Sequence, residues 1–421
     1  MHRRDFLKLA ALSGSLIVPL GHNAWGATAA PGAPAGKRLV VIMLRGAVDG
    51  LNVVTPYGDP GYYAARSSIA LGKPGADNGV LDLDGYFGLH PALAPLLPLW
   101  QSGQLGFVHA SGSPDSTRSH FDAQDYMESG TPGRKATQDG WMNRLLGQLP
   151  PSAQTGGLRA VSVGPVLPRI YAGSNPVANM PAGSAATKPT VLDRPAIGDA
   201  FARMYAGDDK LAATWQEGRA AHEQMMNSMT ASNDDLDKEM QAANNGAPLP
   251  DGFPNDAAHL AILLRHDNHI QLAFMALGGW DTHANQGNAT GQLANRLRPL
   301  GQGLAAFTRQ MGPAMNDTVV VVMSEFGRTV HQNGNGGTDH GHGNVMWVLG
   351  GDVAGGKVHG QWPGLSGGNL HDGRDLAITT DFRAVLAQVA ERHLLLPDAH
   401  LAALFPEFAA SSASAPRLIR T

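Results

Sequence analysis

Apolar runs that stop abruptly at polar residues recur along this chain. The first is 38-RLVVIMLRG-46, followed at once by Asp49 and 50-GLN-52. The run 104-QLGFVHAS-111 leads into 116-STRSHFDAQDYMES-129, where Phe121, Asp125 and Tyr126 fall near one-turn spacings. The runs 158-LRAVSVG-164, 270-IQLAFMALGGWDTH-283, 318-TVVVVMSEFGRT-329 and 345-VMWVLGG-351 follow. Continuous runs of this kind, without alternation, predict strands covered on both faces, as in a parallel sheet. Helical periodicity fills the intervals, most clearly in 91-PALAPLLPLWQSG-103, 292-QLANRLRPLGQGLAAFTRQM-311 and 381-DFRAVLAQVAERHL-394. Strand and helix in alternation predict an α/β fold with a mostly parallel sheet. In such sheets the carboxyl ends of the strands share one edge, where ligands bind.

Two regions depart from this rhythm. Residues 197–250 are polar and rich in Met, Asn and Asp, with helical windows such as 211-LAATWQEGRAAHEQMMNSM-229. They read as an inserted helical segment, either a cap beside the site or a surface helix pair without a role. The start, 2-HRRDFLK-8 followed by 9-LAALSGSLIVPL-20, resembles a twin-arginine signal peptide, with His2 where Ser or Thr is usual. Cleavage after Gly26 or Ala29 would follow. The alternative is a short membrane anchor, although the run falls short of the roughly 20 apolar residues a spanning helix needs. The expected organisation is a signal peptide over 1–29, a flexible leader over 30–37 and one α/β domain over 38–421 that carries the insertion. Its first partner would be the twin-arginine export machinery, delivering it folded to the periplasm or beyond.

Composition narrows the chemistry. Of 421 residues, 43% are hydrophobic and 16% charged, which suits a chain with a large core. A net charge of -4 without a Lys/Arg run argues against a nucleic-acid partner. No stretch after the first is apolar enough to span a membrane. Cysteine is absent, which excludes disulfides, thiolate metal sites and a cysteine nucleophile. Any metal must then be held by His, Asp, Glu or other oxygen donors, which favours borderline or hard divalent cations.

The polar residues behind the strands supply such donors. Asp49 follows the first run, and Ser119, His120 and Asp122 follow the second. Asp281 and His283 end the fourth, Glu325 and Arg328 the fifth, and Asp339, His340 and His342 precede the last in 338-TDHGHGN-344. Taken singly, each is an ordinary loop motif. Gathered at one sheet edge, carboxylates and imidazoles would repel or strand one another unless a cation neutralised them. One or two divalent ions (zinc, manganese, iron or calcium) suit donors of this kind.

The strings 44-LRGAVDGLN-52, 86-YFGLHPAL-93, 118-RSHFDAQDYMESG-130, 278-GGWDTHANQ-286, 323-MSEFGRT-329 and 337-GTDHGHGN-344, in this order, resemble the bacterial proteins grouped as domain of unknown function 1501. That family is similar to the alkaline phosphatase and sulfatase superfamily. The resemblance spans about residues 38–395 and implies a three-layer α/β sandwich with metals at the carboxyl ends of its strands. It implies Asp49 as a first metal aspartate, Ser119 at a helix start as a metal-bound nucleophile with Thr117 competing, and Asp281 with His283 on one ion. Glu325 stands where an Asp followed by His or Asn is usual. His342 or His340 would supply the final histidine, and Asp339 would replace part of the missing pair. The sulfatase signature is absent: 111-SGSPDSTRS-119 has Gly112 two before Pro114 and Ser116 two after it, and without cysteine no formylglycine can form.

The expected function is an exported metal-dependent hydrolase of a small anionic ester, a phosphate ester first. Asp49 and Glu325 would hold one ion, and Asp281, His283 and His342 the other. Arg328 would grip substrate oxygens or form a salt bridge orienting Glu325. His120 would be a ligand, a general acid or a helix-surface residue, Asp122 and Asp125 would support ligands or lie solvated, and His90 reads as structural. The alternative is a non-catalytic exported binding or assembly protein on a hydrolase-like fold.

Overall fold

The computed structural model describes residues 36–150, 158–182, 197, 200, 203–204, 242–408 and 416–420. The expected signal peptide, the leader up to residue 35 and nearly all of 197–241 lie outside the described residues.

Nine strands form the central sheet: β1 (Arg38–Leu44), β2 (Leu105–Gly112), β3 (Ala160–Val163), β4 (Ala178–Met180), β5 (Leu272–Leu277), β6 (Thr318–Ser324), β7 (Asn344–Gly350), β8 (Val358–His359) and β9 (Thr380–Asp381). Their order is β8-β2-β7-β6-β1-β5-β3-β4, with β9 also beside β2. Each apolar run read as a strand is one. The very short β4, β8 and β9 carry too little pattern to be read in advance. All pairings are parallel except those of β7, which runs antiparallel to both β2 and β6. That reversal positions the site. A strand running backwards begins where its neighbours end, so the loop entering β7 reaches the edge at which β1, β5 and β6 release Asp49, Asp281 and Glu325.

Both faces of the sheet are covered, which explains the unbroken apolar runs. All seven residues of β1 are buried. Val40, Ile42 and Leu44 pack toward α3 (Phe253–His266) and α4 (Gln292–Met311). Leu39, Val41 and Met43 pack toward α2 (Trp141–Gln148) and α5 (Phe382–Gln388). Side chains alternate across a strand, and each apolar one buried here contributes about 1.5–3 kcal/mol. The result is a three-layer α/β sandwich. A further helix, α1 (His120–Ser129), starts at the site edge behind the N-cap Ser119. The helix expected over 91–103 is a 3-10 segment, Pro91–Leu96, followed by a short α-helix, Leu97–Gln101, because prolines at 91, 95 and 98 remove backbone donors. Among the described residues no helix is long and apolar enough to cross a membrane.

Candidate metal centre

The loop leaving β6 and the loop entering β7 run side by side. Gly341 N donates to Gly327 O (2.9 Å), Gly327 N to His342 O (2.8 Å) and Thr329 N to Asp339 O (2.9 Å). Arg328 and His340 pair as an antiparallel bridge. The glycines of 337-GTDHGHGN-344 permit this approach: a Cβ on Gly341 would lie 2.4 Å from the Arg328 carbonyl carbon, and one on Gly337 2.4 Å from that of His283.

These loops, the turn after β5 and the first turn of α1 bring four side chains together. His120, Asp281 and His340 offer ligand atoms that all lie within 4.8 Å of one another. His340 Nε2 is 3.0 Å from His120 Nε2 and 3.0 Å from His283 Nε2. The Asp281 carboxylate lies 3.4 Å from His120 Nε2, 2.9 Å from His283 Nε2 and 3.3 Å from His340 Nε2. Side-chain exposure rises from 9% at His120 and Asp281 through 26% at His340 to 43% at His283, so the group opens to solvent on the His283 side.

The far side of each imidazole fixes its tautomer. His120 Nδ1 donates to Glu325 Oε1 (2.8 Å), His283 Nδ1 to Asp339 Oδ1 (3.0 Å) and His340 Nδ1 to the Arg118 carbonyl (2.8 Å). Carboxylate and carbonyl oxygens only accept, so each Nδ1 carries hydrogen and each Nε2 turns its remaining site inward. Three imidazole nitrogens facing one carboxylate at contact distance require a cation among them, either protons or a metal. A histidine oriented by an oxygen on its other nitrogen is the usual arrangement of a metal ligand. Glu325→Gln is expected to weaken metal affinity by roughly 10- to 100-fold without unfolding the chain, measured by competition with a chelator.

Charge reinforces the geometry. Burial opposes ionisation of Asp281, but hydrogen bonds from His120, His283 and His340, with the charge of Arg328, hold it well below the usual carboxylate range. Burial also opposes a charge on His120, yet its bonds to Asp281 and Glu325 prevail and raise its pKa to about 9. The bond to Asp281 raises His283 too. In the metal-free protein, stability from the His120 proton is complete below its ordinary value of 6.5 and lost as pH rises through about 9. A metal must displace that proton. Metal affinity should therefore climb at least about tenfold per pH unit below about 9, more steeply where His283 is protonated too, and level off above, as titration calorimetry from about pH 6 to 10 would read. A flat profile would show that the metal does not compete at His120.

Several expected ligands take other places. Both oxygens of Asp49 are held by Arg66 (2.5 and 3.0 Å), and Oδ2 also accepts from Gln286 Nε2 (2.7 Å); the pair with Arg66 is fully enclosed. Glu325 accepts from His120, Gly46 N, Gln124 Nε2 and Ser324 Oγ, and so braces His120 instead of pairing with Asp49 around an ion. Asp339 likewise braces His283 and accepts from Asn333 Nδ2 (3.0 Å). His340, not His342, completes the group, because the His342 ring stacks on His371 with centroids 4.1 Å apart. Arg328 is enclosed and binds Asp281 (2.7 Å), Thr338 Oγ1 and the Thr338 carbonyl, so it neither reaches out to substrate nor orients Glu325.

Ser119 is exposed and caps α1, with its hydroxyl accepting from Asp122 N. It lies between Arg118, whose carbonyl holds His340, and His120. Asp122 pairs with Lys135, Asp125 with Arg169, and buried His90 caps the 3-10 segment. Sequence reasoning missed Arg66, Gln286 and Gln124. Gln124, four residues after His120 and so on the same helix face, and Gln286, which closes 278-GGWDTHANQ-286, lie within the quoted strings; Arg66 does not.

Residues 86–405 match the family described as Protein of unknown function (DUF1501). No curated protein matches the sequence. Among solved structures the chain is similar to a protein in the alkaline phosphatase superfamily from Vibrio parahaemolyticus, with TM-score 0.38, 11% identity and coverage of 86% of this chain and 72% of that one. It is also similar to the lipoteichoic acid synthase LtaP from Listeria monocytogenes, with TM-score 0.39, 10% identity and coverage of 95% and 80%. A third is the C-terminal periplasmic domain of EcEptC from Escherichia coli in complex with Zn, with TM-score 0.35, 11% identity and coverage of 80% and 77%.

Proposed function

The chain belongs to the family of proteins of unknown function DUF1501, and from the chemistry of its site we propose that it is an exported metal-dependent hydrolase of anionic esters, phosphate esters first. One observation carries the reading: three imidazoles, each with Nδ1 engaged by an oxygen, converge through Nε2 with the Asp281 carboxylate. His120, His283, His340 and Asp281 would hold one ion. This nitrogen-rich set suits zinc, then iron or manganese. It suits calcium poorly, which prefers about six to eight oxygens. When bound, the ion would polarise the ester and lower the pKa of a hydroxyl or water beside it.

The chain's own residues do the rest. Arg328 neutralises and fixes Asp281, while Glu325 and Asp339 hold two of the imidazoles in the ligating tautomer. Ser119 is the candidate nucleophile, at the start of α1, where the helix dipole favours an anionic substrate. A second ion on Asp49 and Glu325 has little to bind, because Arg66 and Gln286 hold both Asp49 oxygens and Glu325 Oε1 accepts from His120, Gly46 N and Gln124 Nε2. Export rests on the 1–29 signal pattern.

Elemental analysis of the mature protein, purified without chelator, tests the metal. Close to one equivalent of a transition metal is expected, and no uptake on addition would overturn the reading. A screen of phosphate mono- and diesters then tests the activity. Metal without turnover on any of them would move the assignment to a binding protein. Ser119→Ala should lower turnover by at least about 100-fold while metal content stays at the parent level. Unchanged turnover would leave water as the nucleophile.

A further inference from the structure

Two of the three inward imidazoles rest on carboxylates, His120 on Glu325 and His283 on Asp339. The third rests on the main chain, where His340 Nδ1 donates to the Arg118 carbonyl. A carbonyl holds a ring only as firmly as its own residue is held, and the Arg118 side chain is tethered. Its Nε and Nη2 donate to Asp375 Oδ2 at 3.1 and 2.7 Å. Asp375 is fully buried. The other acid that Arg118 meets, Asp372 at 2.9 Å, has a side chain 60% exposed.

The buried carboxylate also gathers a second arginine. Arg374 Nε donates to Asp375 Oδ1 at 2.9 Å, and Arg374 Nη2 reaches both Asp375 Oδ2 at 3.3 Å and the His340 carbonyl at 2.5 Å. His340 is thus gripped at ring and main chain by two residues that converge on one carboxylate. Two guanidinium groups share so small a space because an anion lies between them. The backbone around Asp375 is anchored in turn. Asp375 bridges to Thr329 in the loop leaving β6, and Val330 N donates to the Arg374 carbonyl at 3.2 Å. Arg118 stands two residues before His120, so the same tether steadies the start of α1.

We propose that Asp375 is a positioning residue for the metal ligand His340, acting through Arg118 and Arg374. This inference rests on the metal centre proposed above. In Asp375→Asn an amide N–H₂ replaces one oxygen and faces a guanidinium that can only donate, so one arginine is released. His340 then loses a grip on its ring or on its main chain.

Competition between chelator and protein for zinc tests this. Affinity should fall about 10- to 100-fold in Asp375→Asn. The visible bands of the cobalt-substituted protein supply a readout that lost stability alone does not move. They report the geometry around the ion and should shift in the same variant. Two further variants separate positioning from charge. Asp372→Asn also removes a carboxylate beside Arg118 and should keep the parent affinity. Arg374→Gln, at a side chain 45% exposed, removes a cation, which by charge alone would strengthen the binding of a divalent ion. Binding should instead weaken at least about threefold, through the lost hydrogen bond to His340. That variant decides the matter if Asp375→Asn does not fold. Parent affinity or unchanged bands in Asp375→Asn, an equal loss in Asp372→Asn, or parent or tighter binding in Arg374→Gln would each overturn the inference and leave the metal centre standing. A parent protein that takes up neither zinc nor cobalt would overturn both.

Discussion

Asp281→Asn should abolish stoichiometric metal binding, and with it the ester hydrolysis proposed above. Asparagine keeps the shape but removes the one anion that all three inward imidazoles and Arg328 share. Without it, an incoming divalent ion meets three neutral nitrogens and an uncompensated guanidinium, with its Nη1 at 2.7 Å from the lost charge. Affinity should fall by more than about 100-fold, beyond the range typical of residues that only brace ligands. Elemental analysis reads this directly, whatever the substrate. His342→Ala supplies the contrast. Its ring stacks on His371, so metal content should remain at the parent level. If Asp281→Asn kept its metal and His342→Ala lost it, the centre would have to be rebuilt around His342.

The contrast between His340 and His342 marks where sequence reasoning stops. The strands were legible because burial on both faces leaves an unbroken apolar run, as in β1 and β6. The edge was legible because strand ends release polar residues there. That the last long strand runs backwards was not legible, since a buried run reads the same in either direction. Yet this reversal brings 338-TDHGHGN-344 to the edge. Between two histidines in a glycine-rich loop no periodicity chooses, and the choice falls to pairing with Gly327 and Arg328.

The roles of the carboxylates are hidden in the sequence for a related reason. A carboxylate that binds a metal and one that braces the ligand's other nitrogen carry the same letter. Glu325 and Asp339 brace, whereas Asp281 faces the three nitrogens. What decides between these roles is a partner elsewhere in the chain. For Asp49 those partners are Arg66 and Gln286, 17 and 237 residues away. The four-residue group is spread from 120 to 340, and only folding reveals which of many strand-end residues compose it.

Arg66→Met should produce the largest loss of stability. The Arg66 and Asp49 side chains are both fully enclosed. The guanidinium also donates to Asn52 Oδ1 and to the carbonyls of Thr329 and Val330, tying the edge after β1 to the loop after β6. Removing one partner strands a buried carboxylate, which typically costs about 3–5 kcal/mol. The midpoint of denaturant unfolding should fall accordingly. Asp49→Asn added to Arg66→Met should restore much of the loss, because the stranded charge goes with it. The same pair separates two roles for Asp49. If it braces the fold, the cost of Arg66→Met is equal with and without chelator. If it held an ion, the metal would take over from the missing guanidinium, and the variant would be destabilised mainly when the metal is stripped. Equal cost under both conditions is the expected result, since the arginine and Gln286 already engage both carboxylate oxygens.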